Sequence, residues 1–335
     1  MVPAADTGIA KEEFHKAVQI LKPFSQKNIG MARWQLFSTL AILYSSVVAA
    51  FFVYRFGWYF SMLFLPVTTA MLCRSYVIIH DCGHRSFFSS KWANSVAGNI
   101  CSFAIFIPYF VWKYIHDVHH QHVGNLDKRD VNPETWTMTL NEYNAARPFR
   151  RFLYRFMRTR FWRFALAPWA IFGVLFRLPN PKFDRAGNIS VIVFDVLYAL
   201  IFWFLFSHFE PMRIVISFGI PLLLFFTIAF YVFYAQHQFE ETYWEYTDDW
   251  NYEAASFRGS TYLSAPKWFH WISGNVMHHN IHHVISTIPN YNLAKAHEAL
   301  SREIDYPSIS IFKVYSMLDY KLWDEEKKKM VGFPV

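Results

Sequence analysis

Apolar residues gather into two pairs of long runs. Trp34 to Tyr54 and Trp58 to Ile79 each hold about twenty residues, enough for a helix to cross a bilayer, with only Arg55, Phe56 and Gly57 between them. Ile189 to Ser207 and Ile214 to Tyr234 repeat the arrangement across a short loop carrying Pro211 and Arg213. This pattern predicts an all-α integral membrane protein. Its four transmembrane helices, at roughly 34–54, 58–79, 189–207 and 214–234, form two hairpins, and residues 80–188 and 237–335 form a helical cap. The whole chain, 1–335, reads as one domain. A shorter apolar run, Asn94 to Ile107, contains Gly98 and stops at Pro108, which suits a buried or re-entrant helix rather than a full span.

The polar stretches carry weaker signals. Ile9 to Leu21 is amphipathic and basic, as expected of an interfacial helix. Asn132-Pro133 reads as a turn and Thr139 to Arg147 as a short helix. Arg147, Arg150, Arg151, Arg155, Arg158, Arg160 and Arg163 then alternate with aromatic residues, a spacing that predicts a helix lying among lipid headgroups. Further helices are expected over Trp268–His279 and Leu293–Glu303, the latter capped by Asn292.

Composition narrows the class. A hydrophobic content of 54%, with 20% aromatic residues, is too apolar for an ordinary soluble enzyme. The net charge of +7 sits on segments flanking the apolar runs, which favours an anionic membrane surface over nucleic acid. Cys73, Cys82 and Cys101 form no CxxC pair and leave one odd thiol, so disulfides are not expected and a reducing compartment is. No signal peptide is evident. The two hairpin loops hold one arginine each, Arg55 and Arg213, and the other segments hold nearly all the remaining cations. The positive-inside rule then puts both termini and the cap in the cytoplasm.

Three histidine clusters lie beside the apolar runs: His80 and His84; His116, His119 and His120; His279, His282 and His283. Residues three or four apart share a helix face, so each cluster can aim imidazoles at one point. Adjacent histidines diverge by about 100° and can serve two different metals. Imidazole suits zinc, copper, iron and nickel. Eight histidines overfill a four-coordinate zinc site. A carboxylate di-iron bundle needs two Glu-x-x-His motifs, and only Glu12–His15 is present. Haem would need lone histidines inside the spans, which have none. A histidine-ligated di-iron centre on the cap uses every cluster. His237, ending the fourth run, is a candidate ninth ligand. Asp81, Asp117 and Glu240 are candidate acceptors for imidazole N–H groups, and His278 is expected to support the ligands rather than join them.

The motifs HDCGH at 80–84, HDVHH at 116–120 and HHNIHH at 278–283 resemble the membrane-bound fatty acid desaturases. Residues 122–130, 236–240 and 288–293 are similar to the bacterial acyl-lipid branch. The resemblance implies two iron ions, O2 as co-substrate and a fatty acyl substrate carried on lipid, CoA or carrier protein. It also implies a bacterial plasma membrane. With no fused cytochrome b5 motif, electrons are expected from a separate donor such as ferredoxin or cytochrome b5. Alkyl or lipid hydroxylation and oxidative decarboxylation of a fatty acid are the alternatives within the superfamily; a zinc- or copper-binding membrane transporter is the alternative outside it. Arg74 and Asp195 each lie about 8–9 Å inside a span, and buried membrane charges usually pair, so the two are expected to face each other.

Overall fold

Four helices are long and apolar enough to cross a membrane: Ile29–Phe56, Trp58–Gly83, Arg185–His208 and Pro211–His237. The computed structural model describes residues 7–131 and 136–334, so the turn expected at Asn132-Pro133 lies outside the described residues. The second and fourth spans run past their apolar stretches to Gly83 and His237. Helical hydrogen bonding does not stop where hydropathy does, and these polar ends are buried by the rest of the chain: His80 is 5% exposed and His237 3%.

The second span is central and packs against the first and the fourth. Leu43, Leu72, Ile78, Phe225 and Phe226 meet in one core between them. Half of the second span's most apolar window is buried, against 22% in the first and third spans, where Trp34, Phe37, Phe52 and Trp203 face outward. That much uncovered apolar surface requires lipid. The protein is an integral membrane protein. Inside the spans, several polar side chains find partners: Ser46 Oγ lies 2.9 Å from Thr68 Oγ1, and Ser61 donates to the Ala50 carbonyl at 2.7 Å.

The short apolar run forms a helix over Lys91–Ala104 that turns by 106° into a second helix, Tyr109–His122. Phe106 takes a left-handed backbone (φ 66°) in the break, and Pro108 caps the second helix. Gly98 permits this fold-back, because a Cβ there would lie 2.4 Å from the Tyr109 ring.

The polar segments depart from expectation in several places. The chain is mostly helical but not all-α. Tyr262–Ser264 pairs in parallel with Ser308–Ser310, while Leu322–Asp324 joins Met138–Thr139 and Lys329–Val331. Strands of two or three residues carry no alternating pattern to read. The helix expected over Trp268–His279 is two helices, Lys267–Ile272 and His279–Val284, separated where Gly274 and Asn275 adopt positive φ. Asn290–Leu300 replaces the expected Leu293–Glu303, and Asn292 is no cap: its amide donates to the carbonyls of Phe24 and Gln26, 2.9 Å away. The first helix, Thr7–Leu21, is not free to lie on lipid with its apolar face, because Ala17 and Leu21 pack against Ile281 and Leu293. The arginine row divides. Phe149 and Phe152 are exposed on the Pro148–Met157 helix, but Arg158 turns inward to the Trp136 carbonyl (2.6 Å) and Thr137 (2.8 Å).

Arg74 and Asp195 do not pair. Arg74 donates to Thr39 Oγ1 (3.4 Å) and to the Trp271 carbonyl and lies over the Trp271 ring, whereas Asp195 accepts from Arg177 Nε at 2.7 Å. Equal depth says nothing about which side of a helix a residue occupies, and Arg177 reaches Asp195 from outside the spans.

Candidate metal centre

Four segments deliver nine imidazoles. The end of the second span carries His80, with His84 one turn on at its C-cap. Tyr109–His122 carries His116, His119 and His120, the fourth span ends at His237, and His279–Val284 carries His279, His282 and His283. Among the described residues these fall into two groups that could each hold a metal ion. His80, His84, His116, His120 and His282 form one; His119, His237, His279 and His283 form the other, with ligand nitrogens in each group within 4.8 Å of one another. Neighbours in sequence divide between the groups. The rings of His119 and His120 stand at 84° to each other, and those of His282 and His283 at 81°.

The donor set fits a metal. In the first group His120 Nε2 lies 3.2 Å from His116 Nε2 and 2.9 Å from His282 Nε2. In the second, His279 Nε2 lies 3.0 Å from His237 Nε2 and 3.1 Å from His283 Nε2, and His119 and His283 are 3.3 Å apart. With metal–nitrogen bonds of about 2.1 Å, ligands at right angles sit about 3.0 Å apart and tetrahedral ones about 3.4 Å. The observed spacings are the edges of such a coordination shell. The buried Nε2 atoms of His80 and His84 have no hydrogen-bond partner among the described residues. Burial, reinforced by neighbouring imidazoles, holds His84, His279, His282 and His283 well below the usual histidine range, so they present the neutral, metal-binding form.

Some supporting contacts are those the sequence suggested, and others are not. Asp81 Oδ1 lies 3.3 Å from His80 Nδ1, and its Oδ2 accepts from the backbone N (2.6 Å) and side-chain amide (2.8 Å) of Asn290. Gln35, from the first span, extends this chain by donating to Asn290 Oδ1 at 2.9 Å. Asp117 makes no hydrogen bond to an imidazole among the described residues; it pairs with Lys113 one turn back on the flank of its helix. Glu240 is likewise turned away, accepting from Tyr320 (2.8 Å) and Lys329 (3.0 Å). His278 lies outside both groups, 3.0 Å from the Asn275 carbonyl and against the rings of Tyr262, His270 and His297. Three supports escaped the sequence reading. The Gly259 carbonyl holds His237 Nδ1 at 2.8 Å, Asn290 fixes Asp81, and the Trp112 ring stacks on His116 at 4.6 Å. A backbone carbonyl leaves no side-chain signal, but Trp112 stands four residues before His116, which is contact spacing on a helix.

An apolar cavity of about 570 Å³ reaches both groups. It follows the second and fourth spans from Leu65 and Leu224 to His80, His116 and His279, and Trp268 and Phe269 contribute to its wall. Its size and lining suit a small apolar ligand.

Comparison with known proteins gives the same direction. A model of the fatty acid desaturase family matches residues 56–315. The chain is similar to a fatty acid desaturase of Bacillus subtilis, 30% identical over 331 residues covering 95% of this chain and 91% of the relative. An sn-1 oleoyl-lipid 12-desaturase of a Picosynechococcus species is 25% identical, covering 90% of this chain and 86% of the relative. An sn-1 acyl-lipid omega-3 desaturase (ferredoxin) of a Nostoc species is 26% identical, covering 82% and 76%. With the family match spanning most of its length and both imidazole groups assembled, this chain belongs to the fatty acid desaturase family and is an oxidoreductase.

Proposed function

We propose that the nine histidines hold two iron ions, five imidazoles around one and four around the other, and that the protein uses O2 to desaturate the acyl chain of a membrane lipid. The observation that carries this reading is the apolar cavity, which His80 and His116 of one group and His279 of the other line together. An acyl chain held there would lie against both metals. The relatives named for oleoyl- and acyl-lipid substrates support the lipid-linked form. When bound, the irons supply the oxidising power, with O2 and two external electrons, to remove two hydrogens from adjacent methylenes.

The chain's own residues do the rest. Tyr76, Phe225 and Phe233 confine the substrate and keep water from it. Asp81 and the Gly259 carbonyl fix the ring orientations of His80 and His237. Trp112 braces His116. The charge distribution supports two hairpins with the histidines and both termini in the cytoplasm, where a separate donor supplies electrons; the ferredoxin in one relative's name fits that role.

The test is expression in a host of known lipid composition, with fatty acid profiling and iron quantification of the purified protein. The expected result is a new double bond in lipid-bound acyl chains and two irons per chain. A product that gains oxygen or loses its carboxyl carbon, or active protein without iron, overturns the reading.

A further inference from the structure

If the chain is the O2-dependent desaturase proposed above, it must also handle protons and water. Each turnover takes two hydrogens from the acyl chain, two electrons from the donor and two protons from the medium; O2 accepts the four electrons, and two waters leave. The apolar cavity is ill suited to either traffic, because water admitted there would solvate the site that must exclude it.

A second void meets the histidines elsewhere. A cleft of about 10 Å³ touches His119 and His237 and shares no lining residue with the apolar cavity. That volume is about the space one water needs. Two of its lining residues, His122 and Arg129, are partly exposed, while the others, among them Val123, Thr242 and Trp244, are buried. Two of its residues also carry orphaned donors. Trp244, 5% exposed, has a buried indole N–H with no acceptor among the described residues, and Arg129 Nη1 is in the same condition although Nη2 binds Glu142. A buried donor without an acceptor forfeits its hydration with nothing in return, so these two N–H groups call for a polar occupant.

We propose that this cleft binds an ordered water, held by Trp244 and Arg129 beside His119 and His237, and that it is the polar route for protons entering and water leaving the centre. The route is separate from that of the acyl chain, so the two can be disturbed independently. The inference rests on the desaturase reading, but its test fails separately.

Trp244→Phe removes the indole donor and keeps a ring in place; Val123→Leu adds bulk to the cleft and removes no polar atom. Both variants are purified with iron and assayed for double bonds formed and peroxide released per O2 consumed, and for the solvent deuterium isotope effect. A high-resolution density map of the wild type is examined at the cleft. The expected result is a water within hydrogen-bond distance of Trp244 Nε1. In both variants peroxide per O2 should rise and the proton-dependent rate should fall, in Trp244→Phe by about fivefold, the equivalent of one hydrogen bond of about 1 kcal/mol, with iron content and acyl-substrate KM unchanged. If Val123→Leu does not fold, Trp244→Phe carries the kinetic test alone. Absent water density, or wild-type coupling and isotope effect in the folded variants, overturns the proposal. A wild type without iron or double-bond formation instead overturns the desaturase reading beneath it.

Discussion

His237 Nε2 and His279 Nε2 lie 3.0 Å apart although 42 residues separate them in the chain. One ends a membrane span, and the other begins a six-residue helix in the polar part. The contact closes the second imidazole group, and the Gly259 carbonyl on Nδ1 leaves Nε2 directed at it. His237→Ala should therefore empty that group selectively. The purified variant is expected to keep about one iron in two and to lose activity by more than about a hundredfold, while remaining inserted in the membrane. Full iron content by elemental analysis would remove His237 from the ligand set.

The clustered histidines were legible because helical spacing carries geometry directly: His116 and His120, four residues apart, share a helix face, while the adjacent His119 and His120 diverge by about 100°. His237 was legible for another reason, its place at the same end of a span as His80. Contacts made between distant segments were not. Asp117 and Asp81 each follow a histidine in a similar HD motif, yet Asp81 turns inward to Asn290, and Asp117 turns outward to Lys113. Nothing local distinguishes them, because the choice depends on what packs against each helix. The span boundaries behaved likewise: hydropathy marked the lipid-crossing part, and the polar helix ends at Gly83 and His237 were set by the residues that bury them.

Asp195 and Arg177 offer a direct check on such a long-range contact. Removing one partner of a fully buried pair costs about 3–5 kcal/mol, but the Asp195 side chain is 40% exposed, so about 1–2 kcal/mol is expected for Asp195→Asn. In detergent this should lower the Tm by a few degrees. In a double-mutant cycle, Arg177→Met and Asp195→Asn should be clearly non-additive, whereas Arg74→Met and Asp195→Asn should add. Coupling between Arg74 and Asp195 would contradict the observed pairing.

Ala70 lines the apolar cavity ten residues before His80, about 15 Å along the second span. Ala70→Trp would fill that part of the cavity without touching a histidine. Long acyl chains are expected to lose turnover more than short ones, by roughly tenfold or more, since the chain must leave its place or displace an indole from packed surroundings. Fatty acid profiles from cells fed chains of graded length measure the shift. An unchanged length preference would show that the substrate does not extend past Ala70.

Lys321 supplies a pH-dependent prediction away from the metals. Burial first, and then Arg158 and Arg163, pull its ammonium from 10.5 down to about 8, while its Nζ donates to the Arg158 carbonyl at 3.2 Å. Below pH 8 the folded and unfolded chains both carry this proton, and the folded state bears the full penalty of the confined charge. Between pH 8 and 10.5 the folded state sheds the proton while the unfolded chain keeps it. The unfolded state then binds more protons, so stability from this group rises with pH. Lys321→Met loses the contacts to the Arg158 and Leu318 carbonyls, a constant offset, and abolishes the titration. The Tm of the variant minus that of the wild type should accordingly be largest near pH 7 and decline as the pH is raised through 8 toward 10. Thermal unfolding of both proteins in the same detergent at each pH measures that difference, and a difference flat across the range would mean that Lys321 keeps its ordinary affinity for the proton in the folded protein.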